Sequence, residues 1–544
     1  MTMPWKEPRP ALACWLLAAL TLACLLPFAG KAVHMDDPLF IWTAKHIQAQ
    51  PIDFYGFSVD WGYEDTPMTT AMQNPPLAAY YMAAVGAIFG WSEVALHCGY
   101  ILPALALVLG TYALARKFCS HPFTVALLLI SSPVFMISST GLMCDTMMSA
   151  LWVWAVFFWI KGLEPENPRL LLTAATFVAA CSLTKYFGIC LIPLLVVYSF
   201  LQRKSAGRWL LYFLWPMIIL LAYQWWTARL YGRGLLADSA NMVVAKRTAT
   251  GALSRTIETL AFCGGCFFAA LPALPLLWGK RGTFLGAGGA GLMGLLIVAM
   301  GKVGNFAVVE AGQVKWWYLL QISMFVLGAI VILALAWNDF RRNRNPASLV
   351  LLLWIAGVLV FVGGINWTVA GRNFLPLAPA AALLVVRRLE LSPGNGAKYL
   401  CWPLGISLAV ALMVAGADWR LAGVARDAAV NLTKPLVPRY KSIAFEGHWG
   451  FQYYMEQLGF EPLRRNPLVL KTNEAFIVPL QNTSLFRLPD NLAAKEAEFN
   501  YFPSKWISIQ NAKAGAGYYS DGWGPMPFVF GPAPAETYLV VRVK

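Results

Sequence analysis

Residues 34–50 read HMDDPLFIWTAKHIQAQ, residues 53–73 read DFYGFSVDWGYEDTPMTTAMQ, and residues 74–90 read NPPLAAYYMAAVGAIFG. The stretch follows the first apolar run directly. It is too long, too acidic and too aromatic for an ordinary turn between membrane helices, and it holds adjacent carboxylates and two helix starts. Asp36-Asp37-Pro38 has the form of a capped start, with Asp37 as cap, Pro38 as first helical residue and a helix over 40–48. Asp36 then stands outside the cap beside a like charge, which raises the pKa of one member of the pair. A carboxylate so placed is a candidate general base, so Asp36 is assigned to chemistry and Asp37 to structure or orientation. Asn74-Pro75-Pro76 repeats the device ahead of an apolar-aromatic helix over 77–89 that contains Tyr80 and Tyr81, suited to lie along a membrane interface.

The rest of the chain is a membrane scaffold. Of 544 residues, 58% are hydrophobic and only 13% charged, and the mean hydropathy is +0.58. A soluble chain of this length needs more charge to cover its surface, so the composition predicts a polytopic membrane protein. The net charge of +15 is assigned to membrane-surface loops and not to nucleic-acid binding. None of the ten cysteines follows Cys401, which excludes a disulfide-built outer domain. Cys263-Gly-Gly-Cys266 lies in an apolar run and is read as small-residue helix packing.

Apolar runs predict about thirteen spans, the first uncleaved with its N-terminus inside after Lys6 and Arg9. The first covers 11–30. The others cover 93–115, 122–138, 146–160, 170–183, 187–201, 209–226, 257–278, 283–300, 316–337, 348–365, 374–386 and 399–415. The turns on one side hold Arg116-Lys117, Lys161 with Arg169, Arg203-Lys204 with Arg208, Lys280-Arg281, Arg341-Arg342 with Arg344, and Arg387-Arg388. The positive-inside bias puts these in the cytoplasm, and the stretch at 34–89 and the C-terminus outside. From Asp418 onward polar residues rise, which predicts a small mixed α/β domain with a helix over 451–458 and strands over 476–480, 506–509 and 538–544. The expected domains are therefore 1–416, including a first outer loop at 31–92, and 417–544.

Four polar residues converge on the outer face. Asp145 opens the fourth span in CDTMM, as an N-cap or a second acidic site residue. Lys185 interrupts two apolar runs in SLTKYFG, and Arg372 sits in the turn TVAGRNFLPLAP. Each basic residue suits headgroup contact or a phosphate. With Asp36 they come from four distant parts of the chain. The outer segment 227–258 adds Arg229, Arg233, Lys246, Arg247 and Arg255, either a solvated loop or an anion-binding surface.

This order of features resembles the GT-C membrane glycosyltransferases of the dolichyl-phosphate-mannose protein mannosyltransferase and lipid A aminoarabinose transferase type, over roughly residues 10–390. MDDPLFIWTAKHI resembles their acidic pair after the first span. NPPLAAYYMA resembles their His-Pro-Pro segment, with Asn74 for His, and GRNFLPLAP resembles their arginine turn, with Asn373 for Tyr. The resemblance implies a GT-C-like helical fold and a polyprenyl-phosphate-linked sugar donor. It also implies a lipid, glycan or protein acceptor in the cell envelope, and transfer on the outer face of the inner (plasma) membrane. Asp36, Asp37 and Asp145 are then the catalytic candidates and Lys185, Arg372, Arg229 and Arg233 the donor-phosphate candidates. Asn74, Tyr80 and Tyr81 are the substrate-loop candidates. Some members of the class use a divalent metal; His34 and His46 are too isolated to form a ligand set, and no cofactor is assigned. A transporter or lipid-linked-sugar flippase is the competing class. It is disfavoured because the candidate charges gather at one surface and not at mid-depth.

Overall fold

The computed structural model describes residues 7–61, 64–245, 251–391, 400–463, 474–483, 485–486 and 492–544. Lys6, Tyr399, Lys246 and Arg247, used in the sequence reading, lie outside the described residues. Among the described residues, nine helices are long and apolar enough to cross a membrane, or ten if the bent pair Pro122–Ile130 and Pro133–Ser139 is one span. The rest of the expected spans are helices too short for that test: Pro168–Thr184, Ala252–Cys266, and Ala378–Glu390 behind a 3-10 turn. Every expected span has a helical counterpart, because apolar length is a local property of the chain.

Two expected boundaries change. The span over 257–278 is broken at Phe267, and Leu274 begins a new helix that runs to Met300 with a kink at Gly279 (φ 65°). Lys280 and Arg281 follow that kink directly, so the expected basic turn is a bend inside a helix. Before the break the helix packs very closely on its neighbour. A side chain at Gly264 would sit 1.8 Å from the Phe325 carbonyl oxygen, so Ala252–Cys266 lies almost backbone to backbone on Trp316–Asn343. Cys263 and Cys266 are free and buried, as small-residue packing requires.

The ends of these helices follow from their sequences. Ser92 Oγ accepts from Ala95 N–H, and Asn345 Oδ1 accepts from Ser348 N–H, each a side-chain N-cap. Basic Lys204 (φ 55°) and Arg344 (φ 45°) close helices at C-caps in the left-handed region. The central Ala378–Glu390 helix is buried on nearly every side. Arg387 pairs there with Asp339 at 3.0 Å and locks it to Trp316–Asn343. Outside, Phe284, Leu285, Leu292 and Leu295 remain exposed, the apolar surface a lipid solvent favours.

The last long helix, Cys401–Leu436, has 36 residues. At about 54 Å it outruns a hydrocarbon core of about 30 Å, and the composition change at 417 falls inside it. Beyond it a five-stranded sheet runs Ala493–Tyr501, Glu536–Val543, Ala475–Pro479, Ile443–Phe445, Glu461–Pro462. The first three strands are antiparallel and the last two pair in parallel. The Trp449–Gln457 helix makes the crossover between the parallel strands. Strand Ala493–Tyr501 escapes the sequence reading because it is an edge strand with mostly exposed, charged positions.

Candidate active site

The first loop turns sharply ahead of its acidic pair. Met35 takes φ 46°, a conformation few non-glycine residues adopt, and the Asp37–Ala49 helix starts two residues later. The expected cap is corrected here. Asp36 occupies the N-cap position, Asp37 is the first helical residue, and no side-chain cap bond forms. Asp37 is 1% exposed; it accepts from His34 N–H at 3.1 Å and from Leu142 N–H at 3.0 Å. It therefore pins the first loop to the 140–144 turn. Burial pushes its carboxyl up to about 7, opposed by Lys31 and the two N–H donors. The Asp36 charge is the smallest of these causes, so desolvation and not like-charge repulsion dominates.

Asp36 is 34% exposed, and its Oδ2 lies 3.1 Å from the Arg372 guanidinium. Arg372 projects from the Gly371–Leu377 3-10 turn, and its Nη1 lies 2.9 Å from Met143 Sδ. Asp36 and then Asp145 are the carboxylates that act on it electrostatically. Asp145 opens the Asp145–Leu163 helix without a cap bond, because the N-cap position belongs to Cys144. Its Oδ1 accepts from Lys185 Nζ at 2.5 Å, and Lys185 also donates to Asn373 Oδ1 at 2.7 Å. Lys185 reaches this point because Pro168–Thr184 ends beneath it and the chain turns extended (φ −153°, ψ 132°) before a 3-10 turn.

The structure thus gathers Asp36, Asp145, Lys185 and Arg372 around the 371–373 turn, while Asp37, next to Asp36, is bonded to the 140–144 turn. Asn373, read in the sequence only as a departure from the family pattern, joins them through Lys185. An oxygen acceptor there fixes the ammonium without adding charge. The break in Pro122–Ile130 and Pro133–Ser139, bent by 64°, brings the chain back to present Leu142 and Met143.

Other candidates have different partners. The Asn74 carbonyl accepts from the Tyr55 hydroxyl at 2.6 Å. The cap position of Leu77–Phe89 belongs to Pro76 with no side-chain bond, so the expected Asn74 cap does not form. Tyr80 donates to the Pro51 carbonyl, and Tyr81 to the Gly99 carbonyl at 2.6 Å. These hydroxyls tie the Leu77–Phe89 helix to the rest of the loop and to the Glu93–Ala115 helix. Arg229 lies over the Trp225 ring at 5.7 Å. Arg233 bonds Thr70 at 2.7 Å and Asp238 at 3.1 Å, and Arg255 pairs with Asp521 of the C-terminal segment. His46 bonds the Asp53 carbonyl at 2.7 Å. Among the described residues no group of three or more His, Cys, Asp or Glu is placed to hold a metal.

Sequence reading missed Lys31, Asp418 and Tyr519. Lys31 Nζ and Asp418 Oδ2 form a 2.5 Å ion pair with exposures of 1% and 0%. The Tyr519 hydroxyl lies 3.0 Å from both Asp418 oxygens. Lone charges at span edges were the available signal, but nothing local pairs residues so far apart.

Residues 73–226 match the family described as Dolichyl-phosphate-mannose-protein mannosyltransferase. The chain resembles the GT-C membrane glycosyltransferases. This GT-C-like match contains Asp145 and Lys185, while Asp36 and Arg372 reach the same cluster from outside it. No curated protein matches the sequence. Among solved structures, ArnT from Cupriavidus metallidurans bound to undecaprenyl phosphate is similar at 14% identity, covering 86% of this chain and 93% of that one, with a TM-score of 0.47. The archaeal oligosaccharyltransferase AglB from Archaeoglobus fulgidus, in complex with an inhibitory peptide and a dolichol-phosphate, is similar at 11% identity, with coverages of 87% and 69% and a TM-score of 0.48. The arabinofuranosyltransferase AftD from Mycobacteria is similar at 15% identity, with coverages of 99% and 40% and a TM-score of 0.42. The chain is a multi-pass membrane protein.

Proposed function

We propose that the protein is an integral membrane glycosyltransferase that moves a sugar from a polyprenyl-phosphate-linked donor to a hydroxyl of an envelope acceptor. The supporting observation is the ion-paired cluster itself: Asp36, Asp145, Lys185 and Arg372, from four parts of the chain, meet around the 371–373 turn. Asp36 is the general base. Its exposure and the burial of Asp37 favour that division of roles, since only a reachable carboxylate can touch an acceptor. Asp36 takes the proton of the acceptor hydroxyl as its oxygen attacks the anomeric carbon. The bond from that carbon to the phosphate oxygen breaks, and the lipid phosphate leaves with the electron pair.

The leaving phosphate needs positive charge and no proton. Lys185 and Arg372 supply it, each held in the free protein by a carboxylate that an incoming phosphate partly replaces. Asp145 and Asn373 aim Lys185. A single displacement of this kind inverts the anomeric carbon. Among the described residues no group of three or more His, Cys, Asp or Glu is placed to hold a metal, and no step is routed through one. The basic turns on one side support insertion in the inner (plasma) membrane with this site, and the sheet beyond the Cys401–Leu436 helix, on the extracytoplasmic face.

The test uses the full-length chain in proteoliposomes, with radiolabelled undecaprenyl-phosphate sugars as donors and an envelope extract as acceptor. Transfer is expected, and Asp36→Asn lowers it by roughly 10²- to 10⁴-fold at equal insertion. Asp37→Asn retains most of it. Uptake of the labelled donor without transfer, or full activity of Asp36→Asn, overturns the assignment.

A further inference from the structure

The C-terminal domain does more than sit near the cluster. Its 518–521 segment runs along the 368–372 turn that carries Arg372. Gly371 N–H donates to the Tyr518 carbonyl at 2.6 Å, and Asp521 N–H donates to the Val369 carbonyl at 2.9 Å. Thr368 Oγ1 donates to Asp521 Oδ1 at 2.7 Å and lies 3.0 Å from Ser520 Oγ. The approach is so close that a side chain at Gly371 would meet the Tyr518 ring at 2.4 Å. The Tyr518 hydroxyl lies 3.1 Å from Ser138 Oγ, just ahead of the turn that bonds Asp37.

Tyr519 is the centre of this contact. The Arg372 guanidinium lies over its ring at 6.0 Å. The His34 ring, two residues before Asp36, packs edge-on at 5.4 Å. Its hydroxyl is fixed by Asp418, which Lys31 also holds at 2.5 Å. A buried carboxylate with two strong donors is a rigid anchor, because loosening either donor leaves charge in a low-dielectric interior. The anchor fixes the hydroxyl and the hydroxyl fixes the ring, which forms one wall for both Arg372 and the turn into Asp36.

We propose that Tyr519 is a positioning residue for the Asp36–Arg372 pair, and that through it the C-terminal domain is a working part of the transfer site. This rests on the glycosyltransferase reading for its kinetic consequence, but its structural half stands independently. Tyr519 acts by fixing geometry, and displacements of about 1 Å at such sites lower turnover about 100-fold.

The experiment compares wild type, Tyr519→Phe, Tyr519→Leu and Asp36→Asn as full-length protein in nanodiscs. Hydrogen–deuterium exchange on the protein alone reads peptides covering 366–374 and, as a control on domain folding, the Glu536–Val543 strand. Both Tyr519 variants are expected to exchange faster over 366–374, Leu more than Phe, with the strand unchanged. Turnover of the undecaprenyl-phosphate sugar that supports transfer gives the second reading. Tyr519→Leu is expected to lower kcat roughly 10- to 100-fold with KM for donor and acceptor within about two-fold, and Tyr519→Phe, which keeps the ring but loses the Asp418 anchor, to lower it by a smaller factor. If Tyr519→Leu loosens the strand as well, Tyr519→Phe decides by its exchange over 366–374.

Unchanged exchange over 366–374 in both variants overturns the proposal. So does a loss confined to KM, or a kcat for Tyr519→Leu within two-fold of wild type. Full activity of Asp36→Asn instead overturns the glycosyltransferase reading, and the exchange result then decides the positioning role without it.

Discussion

Two carboxylate–cation pairs tie the first loop to distant chain, and they differ in one respect that separates their roles. Asp36–Arg372 joins residues 336 apart at 3.1 Å, with exposures of 34% and 19%. Lys31–Asp418 joins residues 387 apart at 2.5 Å, with exposures of 1% and 0%. The sealed pair is saturated: Asp418 also takes the Tyr519 hydroxyl, and nothing from outside can enter. The open pair is exchangeable, because water and substrate can compete for both groups. Identical chemistry thus yields a scaffold where it is buried and a candidate reaction site where it is reachable.

That contrast can be broken in order of expected effect. Lys185→Gln removes charge from the open cluster and is expected to lower transfer about 100-fold. It also leaves the Asp145 carboxylate, only 3% exposed, without its cation, so the melting temperature of the solubilised protein should fall as well; transfer equal to wild type would remove Lys185 from the donor site. Asp418→Asn strikes the sealed pair and strands the Lys31 ammonium, lowering unfolding stability by roughly 3–5 kcal/mol. The double variant Lys31→Met with Asp418→Leu should regain much of that, read in the same melts. A double variant no better than the single one would contradict the sealed-scaffold reading.

A smaller effect comes from Asp37, buried like Asp418 but without a salt-bridge partner among the described residues. Burial pushes its carboxyl up to about 7 from the ordinary 3.8. Between those values the folded chain holds a proton that the unfolded chain has released. Its contribution to stability is therefore complete below about pH 4 and is lost as pH rises through about 7. Asp37→Asn should flatten the fall in melting temperature between pH 5 and pH 8; equal slopes for variant and wild type would rule this out. Least affected is Arg233→Ala, since its partners Thr69, Thr70 and Asp238 form an exposed surface contact. Exposed pairs contribute roughly 0.2–1 kcal/mol, so donor KM should stay within about two-fold. A tenfold rise would move Arg233 into the donor site.

The sequence was most informative where the deciding physics is local. Among the described residues, nine expected spans became long helices because about twenty apolar residues have no better solution in lipid. By contrast, 122–138 bent, 257–278 broke at Phe267, and 170–183 and 374–386 became shorter helices. The helix starting beside Pro38, the turn at Lys185 and the turn at Arg372 were likewise legible, as breaks in apolar runs. Errors arose where a short motif had two solutions. Asp37-Pro38 and Asn74-Pro75-Pro76 both read as capped starts, yet neither Asp37 nor Asn74 caps its helix, and Asp37 Oδ1 accepts instead from Leu142 N–H, more than a hundred residues away.

By itself the sequence determined the membrane scaffold and marked the four charged residues worth watching. Only the tertiary structure decided which carboxylate is sealed and which is open, and that Lys185 meets Asn373 and Asp418 meets Lys31 and Tyr519. Burial and pairing across hundreds of residues depend on how helices pack against one another. A chain read in order carries no term for that packing.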